Sequence, residues 1–145
     1  MIRRALAIAA LLAAGPALAW EFTATPVCTL SHEAEGSAWE VTYDPAAELY
    51  AIAITLSEGG WPEAEVFSIG FAGGRSLVIS TDRHVLSGGG ATLTVTDRGF
   101  GNVLDGLEFN AAARAFAGDG EALAALDGAA PEVQAFRACV AGGLV

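Results

Sequence analysis

Apolar and polar residues alternate in short runs through most of this chain, and the runs are broken by Gly, Pro or Asp. The stretch Leu77 to Leu107 is the clearest case. It holds two alternating runs on either side of Gly88-Gly89-Gly90, each passing through a Thr-Asp-Arg, at 81–83 and at 96–98. Period-two β-branched residues suit a pleated, half-buried surface, and glycine supplies the positive φ of a tight reversal, so the stretch reads as two neighbouring strands with similar ends.

The same pattern organises the rest. Trp20 to Ala24 and Val27 to Glu33 read as one strand bent at Pro26, with Cys28, Leu30 and His32 on one face. Ala38 to Asp44 alternates through Trp39, Val41 and Tyr43 and stops at Asp44-Pro45, since proline fixes φ and drives the preceding residue out of helix. Glu48 to Leu56 puts Tyr50, Ile52, Ile54 and Leu56 on one side. After the turn 58–62, Glu65 to Phe71 directs Phe67, Ile69 and Phe71 inward, and Gly73-Gly74 closes a hairpin onto Leu77 to Thr81.

Beyond Arg98 the period changes. Asn102 as a cap answered by Asp105 predicts a short helix. Glu108 to Ala117 returns to alternation, and Gly118-Asp119-Gly120 is a turn. Glu121 to Asp127 has helical propensity, but its place between a turn and a helix favours a paired strand. Ala130 to Ala141 is a helix, with Pro131 and Glu132 in its first turn, Arg137 toward its end and Gly142-Gly143 beyond it. Val133, Phe136 and Val140 form its apolar face, with Cys139 at the edge. The expectation is a mainly β protein: an antiparallel β-sandwich of eight to ten strands with a short connecting helix and a C-terminal helix.

The first 19 residues read as an address. Arg3 and Arg4 are followed by the apolar run Ala5 to Ala14 and by Ala17-Leu18-Ala19, a small-x-small cleavage site. The run is too short for the roughly 20 residues of a membrane-spanning helix. Cleavage would leave residues 20–145 as a single domain in the periplasm or secreted. The leader holds two of the seven Lys plus Arg and none of the seventeen acids, so its loss takes the formal charge from −10 to −12. With no lysine and five scattered arginines, the mature chain lacks the basic patch that phosphate neutralisation requires, so nucleic acid is not an expected partner. Insertion into a membrane after cleavage is not expected either.

Cys28 and Cys139 are the only cysteines, one near each end of the mature chain, and an oxidising compartment makes a disulfide the economical reading. Neither lies in CxxC or beside histidines at ligand spacing, so a reactive thiol or zinc site is disfavoured. A helix docked on the sheet would carry Cys139 toward Cys28.

The order of an early strand cysteine, hairpins, a short Leu-rich helix at 101–107, two strands, Leu126-Asp127-Gly128 and a helix ending in Cys139 resembles the invasion-associated locus B family of small exported β-sandwich proteins. It departs from that family in having one cysteine pair where two are usual. The segments WEFTATPVC, STDRHVLSGGGATLTVTDRGFGNVLDGLEFN and LDGAAPEVQAFRAC resemble a group of alphaproteobacterial exported proteins, some of which are called excinuclease components. The residues here do not support such an activity: GxxxxGK[ST] is absent, and so is a basic groove.

Candidate chemistry is sparse. His32 and His84 are the only imidazoles. His32-Glu33-x-Glu35 could gather a cation, but HExxH is absent and a solvated acidic turn is the simpler reading. His84 beside Asp82, with Ser80 or Ser87 nearby, lacks a GxSxG elbow. The pairs Asp82/Arg83 and Asp97/Arg98 are expected to form a solvated salt-bridge set at one end of the sheets. No metal or cofactor is expected. The leading expectation is a non-catalytic binding or envelope-associated module whose partner is a protein or small molecule, met through Trp61-Pro62 or the Asp-Arg turns. A Trp61 folded back over the core is the competing reading for that residue. The alternative function is a small hydrolase or metal-dependent enzyme with His84 or His32 in a cleft among carboxylates.

Overall fold

The computed structural model describes residues 19–142. The expected leader therefore lies outside the described residues apart from Ala19, as does Gly143. Ten strands form two antiparallel sheets. The larger has the order β1 (Glu21–Thr23), β2 (Cys28–Ala34), β3 (Ser37–Asp44), β4 (Leu49–Leu56), β8 (Thr92–Asp97) and β7 (Val85–Ser87). The smaller has the order β10 (Gly120–Ala125), β9 (Ala112–Ala117), β5 (Phe67–Ala72) and β6 (Leu77–Thr81). Among the described residues two α-helices accompany the sheets, α1 (Gly101–Glu108) and α2 (Ala129–Val140).

Register explains why the alternation produces one core. Leu30 pairs with Val41, Val41 with Ile52 and Ile52 with Val95, so the apolar member of each run lands on the same face across four strands. A slip of one residue would turn every one of these side chains outward. The smaller sheet answers with Phe67, Ile69 and Phe71 on β5 and with alanines on β9 and β10. All belong to a single buried cluster that also takes in Leu104 and Leu107 of α1 and Val133 and Phe136 of α2.

Helix α2 lies against β1, β2 and α1. Val133 and Phe136 are fully buried, the Phe136 ring is 6.4 Å from that of Tyr50, and Glu132 Oε1 accepts the Phe22 N–H at 2.9 Å. Arg137 reaches Asp105 at 2.8 Å and Glu108 at 3.0 Å, joining the two helices. The Cys28–Cys139 disulfide then covalently ties β2 to the last turn of α2.

Four expectations are corrected. Residues 20–33 are not one bent strand but the hairpin β1–β2, because the break at 24–27 is long enough to reverse the chain and pair Phe22 with Leu30. The strands on either side of the triple glycine are not neighbours: β6 edges the smaller sheet while β8 lies inside the larger. Asp82-Arg83-His84 carries the chain between sheets, and the glycines join β8 to the short β7, a strand the apolar pattern did not separate from β6. Asn102 does not cap α1, which starts one residue earlier behind Phe100 with no side-chain cap, and Asp105 faces Arg137 instead. Finally, Glu108 and Phe109 belong to the end of α1, so the following strand begins only at Ala112. Residues 121–127, helical by propensity, form β10 through Ala125, since pairing with β9 outweighs local preference.

Candidate functional site

Trp61 is not a contact surface. It is 4 % exposed, its Nε1–H donates to the Ile54 carbonyl at 3.0 Å, and its ring stands edge-on to Phe67. Its own N–H donates to Gly90 O at 2.8 Å, and Gly60 packs so close to Gly90 that a Cβ there would sit 3.1 Å from the Gly90 oxygen. The triple glycine thus serves as the seat for the loop before β5 as well as a reversal.

The two Thr-Asp-Arg segments do meet, although they lie in different sheets. Both end their strands at the open side of the sandwich, where the sheets part around a cleft of about 560 Å³. Its interior is apolar, from Ile52, Phe67, Ile69, Ile79, Val95, Phe100 and Val103. Its rim is polar: Ser80, Thr81 and Arg83 on one side, Thr96, Asp97 and Asn102 on the other. Apolar residues beneath a polar rim are a combination that ligand pockets also show.

The expected salt-bridge set at this rim does not form. Among the described residues the ion pairs are Arg114–Glu121, Arg137–Asp105 and Arg137–Glu108. Asp97 Oδ1 accepts the N–H of Arg98 at 2.7 Å, and Thr81 Oγ1 accepts that of Arg83 at 3.0 Å. These local turns hold the backbone while the guanidinium of Arg83 stays unpaired beside the cleft. Asp82 turns the other way.

On that other side Asp82 shares a second cleft, about 550 Å³, with Glu63, Glu65 and His84. The carboxylates do not bond the imidazole: His84 Nε2 pairs with the Ala64 carbonyl at 2.9 Å, and Nδ1 is buried without a partner. Of the nearby serines, Ser80 is engaged elsewhere, its Oγ bonding Ser68 Oγ at 2.7 Å. Among the described residues no group of three or more His, Cys, Asp or Glu is disposed to hold a metal ion.

His32 is buried rather than part of a solvated acidic turn. Its ring stacks on Trp20 at 4.6 Å, 11° from parallel, and the Trp20 Nε1–H in turn donates to the Ala125 carbonyl. Burial pushes the imidazole pKa below its ordinary 6.5, partly offset by a hydrogen bond with the Ala19 backbone and by the Glu33 charge. This is a structural histidine that seals the β1–β10 side of the sandwich.

The apolar and polar pattern did not single out Phe100, which lines the cleft, or Asn110, which lies outside it. Phe100 closes the inner end, stacked 5.2 Å from Tyr50. Asn110 donates to both the Arg75 and Gly106 carbonyls, fixing the β5–β6 turn to α1. A lone asparagine between helix and strand gives no periodic signal that would mark it. No helix of the described residues is long and apolar enough to cross a membrane. No family model, curated protein or solved structure matches the chain.

Proposed function

We propose that this protein is an exported, non-catalytic binding module of the cell envelope that holds its partner in the cleft between β6 and β8. One observation carries the reading: a recess of about 560 Å³, apolar at its base and polar at its rim, opens between two strand ends beside an unpaired arginine. A stable domain gains nothing from leaving such a recess uncovered, since filling it would remove apolar surface from water. The disulfide supports an oxidising destination, consistent with cleavage after Ala19. The resemblance to exported β-sandwich proteins points the same way.

The test places p-benzoylphenylalanine at Thr96 on the cleft rim and, in a second variant, at Ala46 in the β3–β4 turn. Irradiation of host cells is expected to give a discrete adduct from position 96 and none from 46. The intact mass of the unirradiated protein is expected to begin at Trp20 with the two sulfurs joined. Equal adducts from both positions, or none from either, refute binding at the cleft.

A further inference from the structure

The cleft has a second property, which lies in its backbone. Sheets end in edges, and exposed edges recruit other chains unless they are short, charged or covered. Three of the four edges here are guarded. β1 and β7 are three residues long, and the Phe22 N–H of β1 is occupied by Glu132. β10 carries Glu121 and lies against β2. β6 is different: Leu77-Val78-Ile79-Ser80-Thr81 has no charge, no proline and no bulge, and Val78 is 65 % exposed. It pairs with β5 alone; α1 lies against it as β2 lies against β10, but among the described residues no other backbone hydrogen bond reaches 77–81. Across the cleft, residues 95–97 of β8 run past the end of β7 and pair only with β4.

We propose that β6 receives an extended peptide segment of another protein by strand addition, with acidic residues at the segment's ends. The proposal rests on the cleft being a binding site and names what fills it. A strand laid along β6 would satisfy the free amides and carbonyls, and the alternate side chains opposite Ile79 and Thr81 would turn into the recess that these residues line. The recess borders only Ile79 to Thr81 of the five, so it takes about two of the added side chains.

Charge selects the occupant. Arg75 and Arg83 bracket β6, and neither is in an ion pair among the described residues; the Arg75 guanidinium rests over the Phe109 ring at 4.1 Å. On a chain of net charge −10, two arginines mark the ends of this one edge, Arg83 without a side-chain partner and Arg75 against Phe109. A second copy fits badly. Antiparallel self-pairing about Ile79 would set Arg75 opposite the other copy's Arg83, and parallel pairing in register would set like beside like, both unfavourable. A foreign strand with Asp or Glu opposite each arginine meets neither problem.

The probe is the synthetic peptide DTVTVTVTD, titrated by fluorescence anisotropy against the full oxidised protein. It is expected to bind at least about tenfold more tightly than the same composition with the alternation broken, TTTVVVTDD, and than a version with lysine at both ends. Arg83→Glu should abolish the preference between acidic and lysine ends, because Arg75 still favours an acid at one end while position 83 then favours a lysine at the other, and it should leave the melting temperature unchanged, because Arg83 is exposed and unpaired. N-methylation of one alternate set of peptide amides should weaken binding more than about tenfold, and of the other set less than about threefold, since only one set faces β6. Equal effects of the two sets, indifference to end charge, or a concentration-dependent dimer of the protein alone would overturn strand addition. If the peptide fails while position 96 still yields its adduct, the cleft binds something else; if both fail, the binding reading falls with it.

Discussion

Replacing both cysteines, as Cys28→Ala with Cys139→Ala, tests what holds the terminal helix to the sheet. The bridge joins positions 111 apart and so encloses 139 − 28 − 1 = 110 residues. Chain-entropy reasoning assigns a loop of that length about 16 cal/mol/K, or about 4.8 kcal/mol at 25 °C. Unfolding entropy near 60 °C is about 2.1 cal/mol/K per residue, which for residues 19–142 amounts to about 260 cal/mol/K, so the loss converts to a fall in Tm of about 18 °C. The native state should change little. Val133 and Phe136 remain fully buried, Glu132 still accepts the Phe22 N–H, and Arg137 still holds Asp105 and Glu108. Scanning calorimetry reads the Tm, and amide exchange over 129–140 at 25 °C reads whether α2 stays docked. A fall in Tm under about 5 °C with α2 still protected would show that the unfolded chain already keeps its ends together, refuting the entropic account. Loss of protection at 25 °C would refute it differently, by showing that the bridge maintains the folded docking itself.

Gly106→Ala in α1 should lower Tm, because a Cβ at 106 would overlap the buried Phe71 ring and overpacking costs about 1 to 3 kcal/mol, which at about 260 cal/mol/K is about 4 to 12 °C, of which alanine's better helix propensity returns at most about 4 °C; a rise in Tm in thermal denaturation would contradict that close approach. His32 should give the fold an acid limb. Its folded pKa is depressed, so from pH 6.5 downward the unfolded state takes up a proton that the native imidazole does not, and stability present above pH 6.5 is lost as pH falls toward the folded value. His32→Phe keeps a ring against Trp20 and removes the titration. Its Tm should be flatter with pH than the parent's as pH falls below 6.5, and an unchanged acid limb would discard the assignment.

Much of the fold follows from local pattern. Trp39, Val41 and Tyr43, or Phe67, Ile69 and Phe71, alternate because a strand's side chains do, and that period needs no knowledge of the partner. The C-terminal helix is equally local, from Pro131 and Glu132 at its start to Gly142 beyond its end at φ 91°. The cysteine pairing was legible because only two thiols exist.

Which sheet a strand joins is another matter. β6 and β8 look alike as letters, yet one is an unguarded edge and the other is paired by β4, since register is decided by partners far away in the chain. Trp61 shows the same limit: its pattern allows an exposed ring, and only the Ile54 carbonyl and the Gly90 seat draw it inward. His32 likewise sits in an acidic stretch of sequence but under a tryptophan twelve residues away, and Arg83 and Asp97 share a cleft through no sequence rule. Alternation and terminal punctuation are properties of a few consecutive residues, so the letters alone determine them. A cleft, an open edge and an unpaired charge exist only once two sheets have packed, because each is defined by what fails to come near it.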